Sequence, residues 1–169
     1  MTFSIHAASA PIYSRLLGNL VHWLEKAQAH AQAKGFDSGI YMALRLAPDM
    51  LPFASQVKIA GDIARMAMCR LSGAETPKWP DEENTLETLT VRIRKAIEAV
   101  QSVTASDVQG VESKSIVLPQ RGGEPLQFTG ESFLQQWALP NFFFHVTTAY
   151  ALLRHAGVDL GKADYLGLD

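Results

Sequence analysis

LPNFFFHVTTAYALLRHAG, residues 139–157, is a hydrophobic helical run interrupted by two polar groups that look placed. Asn141 and His145 are four residues apart, so a helix stacks them on one face, one turn above the other. Continuing that face by helical steps gives Leu134 and Ala138 before the pair, and Ala149 and Leu152 after it. The remaining faces, with Phe142, Val146 and Leu153 or Phe144 and Ala151, are also apolar. A helix apolar all round is a covered one. A covered amide or imidazole without a partner costs roughly 1–3 kcal/mol, so both groups call for partners. Pro140 lacks an amide donor and its ring clashes with the preceding turn, so this helix must kink or restart there.

Three further helical patterns precede it. Ile12, Leu16, Leu20, Trp23, Leu24, Ala27 and Ala31 recur at helical spacing, with Pro11 in the first turn and Gly35 as a stop. Asp37 suits the cap of a brief helix around residues 38–45. Phe53, Val57, Ala60, Ala64, Met68 and Leu71 mark the second long helix, ending near Gly73. Residues 74–84, AETPKWPDEEN, form a linker. The third helix starts near Thr85, with Glu83 and Glu87 suiting its positive end. Leu86, Leu89, Ile93, Ile97 and Val100 make its apolar stripe, and Arg92, Arg94, Lys95 and Glu98 a solvated face.

The period then changes. Two short runs flank Arg121-Gly122-Gly123 within residues 114–129, predicting a small β-hairpin made irregular, or left as an edge, by Pro119 and Pro125. No strand–loop–helix unit with Lys-Ser/Thr follows, so the Gly-Gly pair is not a phosphate loop. The last helix begins near Gly130–Ser132 and runs to Gly157, and the tail VDLGKADYLGLD has loop composition. Long helices, short connections and one hairpin predict an all-α protein. The fold is an antiparallel four-helix bundle with a short β-hairpin between helices 3 and 4.

At 169 residues the chain is expected to be one domain, 1–169, long enough to bury about 70 % of its unfolded surface. A formal charge of −2 with scattered basic residues lacks the footprint of a nucleic-acid binder. No apolar run spans a membrane, and the amino terminus does not read as a signal peptide. The expected location is cytoplasmic. The single cysteine, Cys69, lies among Met66, Ala67, Met68 and Leu71 and reads as a small buried hydrophobe. His22 and His30 lie on the first helix with no third ligand nearby. His6 is near the terminus, and His155 sits in a last helical turn, where a cation suits the dipole.

Partners for Asn141 and His145 are available on the second helix. Asp49 and Gln56 are seven residues apart and share a side if that helix has begun at Asp49; Pro52 argues for Asp49 as a residue ahead of it. One reading is a polar ligand pocket between helices 2 and 4 built from Asp49, Gln56, Asn141 and His145. The other is structural: a hydrogen-bonded core histidine, with Asn141 capping the backbone released by Pro140.

HVTTAYALLRHAG resembles the end of the last helix of DinB/YfiT-like proteins, a superfamily of four-helix bundles regarded as metal-dependent enzymes. Leu153-Arg154-His155-Ala156-Gly157 matches the family's terminal Leu-Arg-x-x-Gly, and His145 falls where the second histidine of His-x-x-x-His stands. RLAPDMLPFASQ (45–56), ALPNFFFHVTTAYALLRHAGV (138–158) and LGKADYLG (160–167) are similar to an uncharacterised bacterial branch, a domain of unknown function. The resemblance implies the bundle, a pocket at that place, and zinc or nickel as the superfamily's metal. It also marks a departure. Asn141 stands for the first histidine, and Gln56 for the histidine of the second helix. One histidine and two amides, candidate ligands His145, Asn141 and Gln56, would hold a divalent ion weakly, unless Asp49 adds charge.

Three uses are therefore expected to compete. In the first, the pocket binds a small molecule, with His145 as the group able to move protons. In the second, the bundle is a non-enzymatic homodimer, with Trp79, Trp137 and Tyr165 at its surface unless the chain's own loops cover them. In the third, metal-dependent hydrolysis or thiol transfer is retained.

Overall fold

The computed structural model describes residues 4–120 and 122–168. Helix α1 is Ala10–Lys34, with Pro11 in its first turn and Gly35 closing it at φ 73°. Asp37 accepts from the Gly39 amide and opens a 3-10 turn over Ser38–Ala43. Helix α2 is Phe53–Ser72, and Gly73, at φ 85°, ends it. Helix α3 is Leu86–Gln101, opened by a reciprocal Thr85–Thr88 capping box.

The linker 74–84 does not turn tightly. It runs back along the bundle, with Arg65 donating to the Pro77 carbonyl, Lys58 pairing with Asp81 and Arg92 donating to the Pro80 carbonyl. The starts of α2 and α3 consequently sit at one end, as in bundles with a long crossover. Helix α1 packs chiefly on α3, and α2 on α3 and on the last long helix.

The expected solvated face of α3 holds at Arg94, Lys95 and Glu98, which are exposed, and is corrected at one position by the linker. Arg92 is buried at 5 % exposure, beneath Trp79 and between Asp62 and Glu83. A pattern on one helix cannot reveal that a distant loop will cover its polar side.

Strands β1 (Ser115–Leu118) and β2 (Leu126–Thr129) pair antiparallel, Ser115 facing Thr129 and Leu118 facing Leu126. Ile116 and Leu118 point into the core. Pro119 and Pro125 fall immediately outside the paired residues, so they end the strands without distorting them. Of the expected turn, Arg121 lies outside the described residues.

The last long helix answers the question set by Pro140. A short α4 (Gly130–Phe133) passes into a π-helical turn over Leu134–Ala138 and then into α5 (Leu139–His155). The Leu139 amide bonds back to Leu134, five residues away. The widened turn lets the helix continue where an α-helical one would meet the proline ring. Asn141 supplies no cap to this junction. The tail, expected to be loop, forms α6 (Lys162–Leu166), held by Asp164, which accepts from the Gly161 amide and pairs with Lys26. Five residues are too few to display a period, and this helix exists through its tertiary contacts. No helix among the described residues is long and apolar enough to cross a membrane.

Candidate functional site

The α2/α5 seam carries the polar residues singled out above. Gln56 and His145 are both buried, at 1 % and 9 % exposure. His145 Nδ1 lies 2.7 Å from Gln56 Oε1, and Gln56 Nε2 donates to the Leu51 carbonyl at 3.0 Å. The second bond fixes the first. With its amide nitrogen committed to Leu51, Gln56 presents only its oxygen to the ring, so Nδ1 carries the proton and donates. Among the described residues the Nε2 lone pair then meets no donor. Burial lowers the pKa of His145, so the ring is neutral at pH 7. Phe144 meets the ring edge-on at 5.2 Å. Chemically, His145 is a fixed tautomer offering one acceptor.

Asn141 sits one turn away and belongs to the neighbouring layer of the seam. It lines a hollow of about 240 Å³ between α2, the π turn and the end of β1, with Asp62, Ile63, Met66, Arg70 and Trp137 among the walls. Among the described residues its side-chain amide meets no hydrogen-bond partner. Arg70 Nη1 is buried without a partner as well.

Asp49 is a correction. It lies in an exposed turn, and α2 begins only at Phe53 after Pro52. It never joins the face of Gln56. The structure thus brings Gln56 and His145 together, places Asn141 on a hollow that neither of them lines, and leaves Asp49 in an exposed turn. Arg70 was not singled out from the sequence; on α2 it reads as an ordinary basic residue near a helix end, and only burial distinguishes it.

The aromatic residues considered for a dimer surface are also accounted for within the chain. Trp79 lies 4.1 Å from the Arg65 guanidinium, Trp137 stacks on Phe133, and Tyr165 stacks on Trp23. The other histidines have structural partners or none: His30 Nδ1 meets Tyr41 Oη at 2.6 Å, and His6 Nε2 meets the Val103 carbonyl. His22 and His155 are exposed. Cys69 is buried, at 8 %. A second, wider hollow of about 640 Å³ runs between α1 and α3, beside Leu24, Gln28 and Thr90. Glu25 on its rim is engaged by Arg94.

The fold, with its polar seam between α2 and α5, is that of a DinB-like bundle. The crystal structure of a DinB family member protein from Shewanella denitrificans is similar at 36 % identity and a TM-score of 0.86, over 96 % of this chain and 91 % of that one. Residues 5–166 match the family model "Domain of unknown function (DUF1993)", and the chain belongs to that family. No curated protein matches it.

The metal associated with DinB-like proteins finds a poor fit here. Among the described residues no group of three or more His, Cys, Asp or Glu could hold an ion. His145 is the one imidazole on the seam; its Nε2 could ligate, but the Gln56 oxygen is already engaged by His145 Nδ1, and amide oxygens are weak donors for zinc or nickel.

Proposed function

We propose that this protein binds a small molecule in the α2/α5 seam, in the hollow lined by Asn141, one helical turn from the buried His145–Gln56 pair. The observation that carries this reading is an unpartnered amide on a walled hollow, one helical turn from a histidine whose tautomer is fixed. Ligand sites in bundles are built in this way from side chains on facing helices. The alternative that Asn141 and His145 are only structural accounts for His145, whose Nδ1 is bonded to Gln56; Asn141 is half-buried and faces the hollow. A screen of small fragments by saturation-transfer NMR tests the proposal. Hits on the wild-type protein should disappear in Asn141→Leu, with the fold intact by circular dichroism. Hits that survive the substitution, or no hits at all, would remove the seam from consideration.

A homodimer is a second reading, favoured by Leu46 and Phe144. They share a shallow surface hollow at 55 % and 54 % exposure. Sedimentation should then show a dimer that Phe144→Glu dissociates. A monomer at every concentration would dispose of it.

A further inference from the structure

The walls of the α2/α5 hollow differ in chemistry from end to end, and that difference says what would occupy it. At one end stands Arg70, on the last full turn of α2. Among the described residues its guanidinium meets no acceptor, and Nη1 is sealed from solvent besides. A guanidinium has five N–H donors in a planar fork, matched to the two oxygens of a carboxylate. Leaving a charged donor buried and unpaired is costly, so an acceptor brought there by a ligand is favoured over water. Burial also lowers the pKa of Arg70, in keeping with a cation short of compensation.

The carboxylate that could have answered it is already taken. Asp62 lines the same hollow but turns to Arg65, at 3.0 Å, and to both oxygens' reach of Arg92 Nη2, at 3.1 and 2.9 Å. Lys114 adds a further cation at this end, donating from Nζ to the Arg70 and Leu71 carbonyls. Of the two charged groups that line the hollow, Asp62 is thus already paired and, among the described residues, Arg70 is not. The rest of the lining is largely apolar, with Ile59, Ile63 and Met66 preceding Arg70 on α2, and Leu118, Pro119 and the Trp137 ring contributed by other elements. Asn141 contributes an amide able to donate to one oxygen or accept from a hydroxyl.

We propose that the hollow takes a small carboxylic acid with a compact apolar body. The carboxylate lies on the Arg70 fork, the body lies against Trp137 and Met66, and Asn141 sets the orientation. This rests on the seam being a ligand site, and it adds the class of ligand. The volume, about 240 Å³, suits a single ring or a short chain and not a nucleotide.

The probes are benzoate, its neutral analogue benzyl alcohol, and inorganic phosphate, titrated into the full chain. Binding is followed by calorimetry and by the Trp137 indole NMR signal, assigned with Trp137→Phe. Benzoate should move that signal and bind at least tenfold more tightly than benzyl alcohol or phosphate. Its affinity should fall at least tenfold in Arg70→Met, recover in part in Arg70→Lys, and weaken with salt. Equal binding of benzyl alcohol, or an Arg70→Met protein that holds benzoate unchanged, overturns the carboxylate assignment and leaves the seam as a neutral-ligand site. Equal binding of phosphate overturns the apolar requirement. If neither benzoate nor benzyl alcohol disturbs Trp137, this inference fails together with the proposed function. Arg70→Met and Arg70→Lys are both checked by thermal melting, so lost binding is not mistaken for lost fold.

Discussion

At the level of single residues, His145 and Tyr13 make opposite predictions. Burial gives folded His145 a lower pKa than the unfolded chain, whose imidazole titrates near about 6.5. Above that pH neither state binds the proton and the residue's contribution is constant. As pH falls below it the unfolded state takes up a proton first, so stability is lost, by up to about 1.4 kcal/mol per pH unit. The wild-type minus His145→Phe difference in urea stability across pH 4.5–8 isolates this from the other histidines. A flat difference contradicts it. Gln56→Glu should reverse the sign, because a carboxylate at the position of Oε1 raises the ring's proton affinity roughly 10- to 1000-fold, which NMR titration reads directly. Tyr13 carries a sealed hydroxyl that meets no partner among the described residues, and burial pushes its pKa up. Its ring packs edge-on to Phe142 at 4.8 Å. Tyr13→Phe keeps the ring and removes the orphan, and should stabilise the protein by about 1 kcal/mol in chemical denaturation.

Among the elements, the π turn and the start of α4 show what a sequence conveys and what it withholds. Pro140 announced that the last helix could not be regular, and the break is there; whether it would be a kink, a restart or a widened turn depends on packing that Pro140 does not encode. Gln56 and His145 were legible because helical period places each on its buried face, and burial demands a partner. Asp49 lies where Pro52 argued, ahead of α2 in an exposed turn, and so does not share the buried face of Gln56. Arg92 and Arg70 were illegible for a shared reason: what surrounds them comes from the linker, from β1 or from α5, none of it predictable from their own helix. Gly130 gives this scale its test. A Cβ there would stand 2.0 Å from the Val111 carbonyl oxygen, a backbone atom, where the Glu131 amide also bonds to Glu112. Gly130→Ala must push α4 off the segment before β1. It should cost about 1–3 kcal/mol, as overpacking does. A variant as stable as wild type in urea would show that this junction yields freely.

Across the whole molecule, the linker behaves as a strap that the bundle grips through charge. Arg92 is buried at 5 %, and burial opposes its charge. The bonds to Glu83 and Asp62 outweigh that cost and raise its pKa on balance. Arg65 pairs with the same Asp62, and Trp79 lies over Arg65, Arg92 and Lys95, at 4.1, 5.5 and 4.7 Å. The strap is therefore continuous with α2 and α3 through one network, and the wall of the α2/α5 hollow at Asp62 is part of it. Removing Asp62 weakens the pairing of two buried cations, Arg65 and Arg92, and removing Arg92 as well relieves one of the two. Asp62→Leu should destabilise the protein by about 3 kcal/mol, the low end for an uncompensated buried charge, because Glu83 still faces Arg92. Asp62→Leu combined with Arg92→Met should cost less than the sum of the two single changes by at least about 1 kcal/mol. Proteolysis should distinguish the strap from the bundle. Cleavage near Lys78 should accelerate in Asp62→Leu and return toward the wild-type rate in the double variant. Strictly additive stabilities would mean that the strap is held by Trp79 and the carbonyl bonds alone, with the charges contributing nothing.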